Sequence, residues 1–179
     1  MPAASSTTGL RLRALTPALA IFVVAALSSI PSNAAEPEAA ALTVVDENGK
    51  SHGVSISDLA KLPRHTVTVA DRDGVEQHYE GCYIGDVLSS AGVELGEPLR
   101  GDRLLLYATV EAADDYRVVF ALAELDPART KSPVLLADRC NGRTLSEKEG
   151  PLRLVAPAEE PRTRWVRQVQ RVVIRSAKQ

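Results

Sequence analysis

Apolar and polar residues alternate along short stretches of this chain, and glycines, prolines and polar clusters interrupt them at close intervals. That period of two is the signature of strands with one buried face. Leu42–Asp46 reads as a strand, Glu47-Asn48-Gly49-Lys50 as a turn, and His52–Ile56 as the return strand. An Asn-Gly between two alternating runs is the strongest short hairpin signal, because the tight turn needs positive φ at its centre. Ser57 is placed to cap a short helix, Asp58–Leu62, which Pro63 stops. His65–Ala70 alternates again with β-branched residues. Asp71-Arg72-Asp73-Gly74 turns it, Val75–Glu80 returns as a second hairpin, and Gly81 breaks the strand. The period then changes: Ile84, Val87, Leu88 and Ala91 fall at i, i+3, i+4 and i+7, one apolar face of a helix. Gly92 suits the position just past its end.

Arg103–Val110 is a strongly apolar strand, expected at the centre of a sheet. Glu111–Asp115 turns and Tyr116–Phe120 returns. Ala121–Leu125 predicts a short helix ended by Asp126-Pro127, and Val134–Ala137 another buried strand. Asn141-Gly142 turns. Leu152–Val155 and Trp165–Ile174 are the last strands. In the second of these, Val166, Val172 and Ile174 share one alternation and Val169 and Val173 the other, which predicts a bulge or bend between them. The fold class is α+β: a single mixed, β-rich domain with short helices.

The N-terminus follows a different pattern. Arg11 and Arg13 precede an apolar run, Ala14–Ile30, and Ser32-Asn33-Ala34 offers small residues at the positions a signal peptidase inspects. The expected organisation is a signal peptide over 1–34, a flexible Ala/Glu/Pro tail over 35–41, and one domain over 42–179. The chain is then periplasmic or secreted, with no membrane attachment after cleavage. The alternative is a transmembrane anchor, but the run contains Pro17 and is at the short limit for spanning a bilayer. Leu12 separates Arg11 from Arg13, so there is no twin-Arg pair, and export would be of an unfolded chain without a cofactor.

Charge changes the picture in one respect. The formal net charge is only −2, but residues 35–138 hold 9 Lys/Arg against 19 Asp/Glu, whereas residues 139–179 hold 10 against 4. A general nucleic-acid binder needs a broad basic face, and this distribution excludes one. It leaves a local anion site or a charge-complementary partner, or simply acidic and basic strands lying side by side. Cys82 and Cys140 are the only cysteines. In an oxidising compartment they form either a disulfide, worth about 3–4 kcal/mol by loop closure, or two separate thiols behaving as small apolar residues. Neither a CxxC nor a metal-ligand spacing of histidines occurs. His52, His65 and His78 stand alone on expected strands, and the acids at Asp71, Asp73, Asp114 and Asp115 read as turn residues.

In order along the chain, several segments resemble one known family. They are Tyr79-Glu80-Gly81-Cys82-Tyr83-Ile84-Gly85-Asp86-Val87-Leu88 with Ala91-Gly92, Asp115-Tyr116 before an apolar strand, and Leu136-Ala137 with Asn141-Gly142. Then come Gly150-Pro151-Leu152-Arg153-Leu154-Val155 with Pro157, and Arg164-Trp165-Val166-Arg167 with the closing Val-Ile strand. Together they resemble the oxidoreductase molybdopterin-binding domain, the fold of the sulfite-oxidase family. The resemblance implies molybdopterin as the cofactor and a redox reaction, alone or as a subunit of a periplasmic redox complex. It also implies that terminal basic residues hold the anionic end of the pterin. The sequence departs from the pattern at the metal. Enzymes of the family hold molybdenum by a cysteine thiolate before the Gly81-like glycine, and here that region is Thr66-Val67-Thr68-Val69-Ala70-Asp71.

The candidate binding residues are therefore Arg153, Arg162, Arg164 and Arg167. Arginine captures phosphate, sulfate or carboxylate in a planar, bidentate manner and needs no tuning of its charge. In an extended loop Arg162 and Arg164 share one side. The competing reading is a solvated basic loop paired with Glu159 and Glu160. Trp165 and Tyr116 either line a pocket or pack in the core. The preferred expectation is an exported, cofactor-free module that binds a small anion or a partner protein, with no catalytic residue and no metal; the alternative is a molybdopterin-dependent oxidoreductase or a subunit of a redox complex.

Overall fold

The computed structural model describes residues 40–178, so the expected signal peptide 1–34 and all but the end of the 35–41 tail lie outside the described residues. Leu42–Val45 (β1) and Ser51–Val54 (β2) form the first hairpin. Pairing begins at the end of the expected tail, where the Ala41 amide donates to Val54 O at 2.9 Å. Ile56–Leu59 (α1) follows at once. Its cap is Ser55 rather than Ser57, because Ser55 and Asp58 stand at the spacing of a reciprocal box. The Asp58 amide donates to Ser55 Oγ at 3.1 Å, and the Ser55 amide donates to Asp58 Oδ2 at 3.2 Å.

His65–Ala70 (β3) and Glu76–Tyr83 (β4) are the second hairpin. Ile84–Ser90 (α2) buries Ile84, Val87 and Leu88 as the period predicts. Arg103 to Leu105, expected as strand, lies in a 3-10 turn; β5 begins at Leu106 and runs to Ala112, followed by Arg117–Ala121 (β6). Leu135–Cys140 (β7), Arg143–Thr144 (β8), Arg153–Val155 (β9) and Val169–Ser176 (β10) complete the domain. The last strand starts later than the alternation suggested. Val166 makes only an isolated bridge to Leu154, and the expected irregularity appears as a register shift between Val169 and Arg171.

One sheet has the order β2-β1-β10-β5-β6; the other has β3-β4-β7-β8, with β9 added on β7. β1 and β10 pair in parallel and the remaining pairs are antiparallel. Leu42, Val44, Val110, Phe120 and Val172 from the first sheet meet Ile84, Leu88, Leu135, Leu136 and Leu154 in one core cluster. Each such side chain contributes about 1.5–3 kcal/mol by leaving water. This is the mixed, β-rich architecture that the alternation called for.

Gly81 does not end its strand. It lies inside β4 beside a register shift between Glu80 and Gly81, where β4 crosses β7. A Cβ at Gly81 would stand 2.0 Å from Leu136 O and 2.7 Å from Ala137 Cα. The two backbones touch, so only glycine fits.

Candidate functional site

The lower ends of β4 and β7, the β3–β4 turn and the loop before β10 surround a cleft of about 580 Å³. Gln77 and Tyr79 reach it from β4, Cys140 from β7 and Arg153 from β9. Asp71, Arg72 and Asp73 come from the turn, Glu149 from the loop before β9, and Arg162, Trp165 and Arg167 from the loop before β10. A second cleft of about 670 Å³ lies around Arg64 and Asp138. Those two charges satisfy each other through paired bonds of 2.6 Å, so the arginine-lined cleft is the better ligand site.

Arg153 is the centre of this cleft. Its strand fixes it: Leu154 and Val155, the next two residues of β9, are fully buried and pair with Leu136 and Leu135, Arg153 pairs with Ala137, and Arg153 itself is only 8% exposed. One guanidinium nitrogen is paired with Glu149, while Nε is buried without a hydrogen-bond partner. The guanidinium carbon stands 5.1 Å from the Tyr79 ring centre and 5.5 Å from that of Trp165. Tyr79 and Trp165 meet edge to face at 5.9 Å. Arg162 stacks on Trp165 at 4.5 Å and donates to Ala70 O. Trp165 is buried, as core packing required, and its indole N–H donates to Ala156 O at 2.8 Å. One ring thus carries two guanidinium groups.

The structure divides the four expected arginines. Arg153, Arg162 and Arg167 line the cleft. Arg164 does not. It donates to Val119 O at 3.2 Å and to Glu124 at 3.0 Å, pairs with Glu159 at 2.5 Å, and lies over Phe120 at 4.2 Å. Period-two reasoning failed because the loop is turned rather than extended: the Thr163 amide bonds Pro161 O, and that of Trp165 bonds Arg162 O. Tyr116 is not core either. It is 45% exposed, and its hydroxyl donates to Thr163 O on the same loop. Arg72 was missed because turn residues carry no period; its neighbour Asp71 gave the only signal.

The two cysteines are free thiols, the second of the two states open to them. The pairing register places Cys82 opposite Leu136 and Cys140 opposite Tyr79, so the thiols are separated by about 10 Å of strand at ~3.3 Å per residue. No disulfide reaches that far. Cys82 is sealed in the core, donating to Leu59 O at 3.2 Å. Cys140 is half-buried in the cleft, 3.7 Å from Gln77 Oε1. Burial, then Glu149, pushes its thiol above the usual range, against Tyr79 and Arg153.

His52 pairs with Asp46 at 3.0 Å, His65 stacks on Tyr83 at 3.7 Å, and His78 bonds Thr68 at 2.8 Å, so no two histidines share a site. Among the described residues no cluster of three or more His, Cys, Asp or Glu is arranged to hold a metal. At the end of β3 the cleft presents Asp71, whose Oδ1 accepts from the Asp73 and Val75 amides and whose Oδ2 accepts from Gln77. The Val75 amide, aided by Asp73, Gln77 and Arg162, holds this carboxyl below its usual value despite desolvation. The segment where the resemblance implies a metal thiolate carries a carboxylate instead. The guanidinium groups match an anion.

The family description "Oxidoreductase molybdopterin binding domain" matches residues 28–179. No curated protein sequence matches significantly. Among solved structures, the sulfane dehydrogenase SoxCD from Paracoccus pantotrophus is similar, with a TM-score of 0.57 and 22% identity. The match covers 75% of this chain and 37% of that one, so this chain spans well under half of its length. At that identity the likeness bears on the fold, which is that of the sulfite-oxidase type. With the family description matching most of the sequence, the chain belongs to the oxidoreductase molybdopterin-binding domain family.

Proposed function

We propose that this protein is an exported, cofactor-free member of its family that holds a small oxyanion, free or presented by a partner protein, in the arginine-lined cleft. Arg153 carries the reading. A guanidinium this deeply buried is costly unless its charge and all its donors are answered. Glu149 answers part of it, and Nε has no acceptor among the described residues. Arg162, stacked on the same indole, and Arg72 and Arg167 at the rim add donors in a fork geometry suited to sulfate, phosphate or carboxylate. Export rests on the leader pattern at residues 1–34.

A second reading is a subunit of a molybdopterin-dependent redox complex. The family match and the likeness to a dehydrogenase favour it. The arginines suit the anionic end of a pterin, but β3 ends in Val69-Ala70 and the turn begins with Asp71, where the family's metal needs a thiolate.

Metal and pterin analysis of protein from its native host separates the two. Empty protein is expected, and stoichiometric molybdenum overturns the cofactor-free reading. On the reduced protein, sulfate or phosphate at a hundredfold its Kd is expected to add about 2.7 kcal/mol of stability. Chloride at equal ionic strength is expected to add much less. Equal effects of sulfate and chloride remove the anion site.

A further inference from the structure

The arginine-lined cleft also contains a thiol, and nothing in the anion reading uses it. Cys140 lines the cleft beside Arg153, half-buried, with a long contact to the Gln77 side chain at 3.7 Å and the Tyr79 hydroxyl as a further partner. Cys82 is 1% exposed, faces Leu59, and is out of reach. A covalent adduct on Cys140 therefore has no internal thiol to resolve it. Arg153 is the second, independent pointer: nine-tenths buried, lining the same cleft, with an Nε that has no partner.

We infer that Cys140 is an attachment point for small anionic thiols, which it captures as mixed disulfides while the arginines bind their acidic groups. This inference rests on the anion reading of the cleft and extends it to a ligand class. In the step, the Cys140 thiolate attacks one sulfur of a small disulfide. The Sγ–S bond forms and the reagent's S–S bond breaks. The other half leaves as a thiolate that takes a proton from water. Cys140 is oxidised, and the departing half of the reagent is reduced. Charge complementarity with the cleft lining decides which disulfide is captured. Four arginines, Arg72, Arg153, Arg162 and Arg167, line the cleft around the thiol, against the three acids Asp71, Asp73 and Glu149.

The test compares two disulfides of similar length and opposite charge, dithiodipropionate and cystamine, by intact mass and peptide mapping. Rates are normalised to those of the same reagents with free N-acetylcysteine. The expected result is an adduct on Cys140 alone, absent in Cys140→Ser. The dianion is expected to react about tenfold faster than the dication after normalisation, a preference lost in 1 M NaCl, where screening is nearly complete. The salt arm needs no variant and so does not depend on any mutant folding. No Cys140 adduct, or equal normalised rates, overturns the inference. A sulfate-induced thermal shift measured in parallel on reduced wild-type protein keeps the two ideas apart. A shift without an adduct sinks the thiol inference and leaves the anion site standing; no shift removes both.

Discussion

Residues 152–156 and residues 157–168 are neighbours in sequence, both carry arginine, and the structure uses them in opposite ways. In the first segment Leu152, Leu154 and Val155 are fully buried, and the register with β7 fixes where each side chain goes. Arg153 is held in the cleft by that register. In the second segment the direction of each arginine is set by a turn. Arg162 goes to the cleft and Arg164, two residues later, goes to the outer face against Glu124 and Glu159. The difference teaches that one arginine locked between apolar strand residues points to a site better than a cluster of arginines on a loop. The first is costly to bury; the second forms exposed pairs that cost and contribute little.

The frame can be broken most severely at Gly81. A valine there drives a side chain into the β7 backbone, where even a Cβ would lie 2.0 Å from Leu136 O. The expected loss is more than about 4 kcal/mol, enough to prevent folding of a marginally stable domain. Circular dichroism and urea unfolding read it. A variant that folds with a nearly unchanged midpoint would show that β4 and β7 are not in contact there.

Trp165 joins the frame to the loop, and Trp165→Ala is expected to cost about 3–4 kcal/mol through lost packing. It also removes the ring under Arg162 and the bond to Ala156 O. Trp165→Phe retains much of the packing and loses that hydrogen bond, so a smaller loss is expected, about 1–2 kcal/mol. Equal losses for the two variants would mean that packing contributes little and that the indole N–H bond to Ala156 O, lost in both, anchors the loop.

Much of the frame was readable because each of its parts has a local cause. Asn141 and Gly142 both have positive φ, as their dipeptide demanded, and the helix at 84–90 buries the face that its period selected. Gly81 was misread because a glycine inside a strand and a glycine that ends one look alike until the crossing strand is known. Arg164 and Arg72 were misjudged for a related reason: a turned loop has no period, so no spacing rule says where its side chains point. The cleft lines itself with residues from 71 to 167, and only the fold brings them together.

The two arginines of the loop give a direct contrast. Arg162→Gln removes a cleft donor and is expected to weaken sulfate stabilisation about tenfold in Kd, a loss of about 1.4 kcal/mol of binding. Arg164→Gln removes outer-face pairs at a side chain 35% exposed and is expected to cost no more than about 1 kcal/mol of stability. It should leave sulfate binding unchanged. Isothermal titration and urea unfolding separate the outcomes. If Arg164→Gln abolishes binding and Arg162→Gln does not, the division of the loop is wrong.

The smallest expected effect sharpens the contrast inside the cleft itself. Asp71 opposes an incoming anion, yet its oxygens are occupied by the turn amides and Gln77. Asp71→Asn keeps an acceptor for the amides and removes the charge. Sulfate is expected to bind about threefold more tightly between pH 6 and 8, with little change in stability. The pH dependence has a fixed sign. The folded carboxyl lies below its usual value, so it stabilises the wild type above that usual value and the contribution fades as pH falls through the lower, folded one. Asp71→Asn removes this one titration, so between pH 5 and 2 its stability curve is expected to fall less steeply than that of the wild type. Parallel curves, together with unchanged sulfate affinity, would mean that Asp71 neither faces the anion nor holds the turn. The cleft would then owe its preference for anions to its arginines, with no opposing charge from the β3–β4 turn.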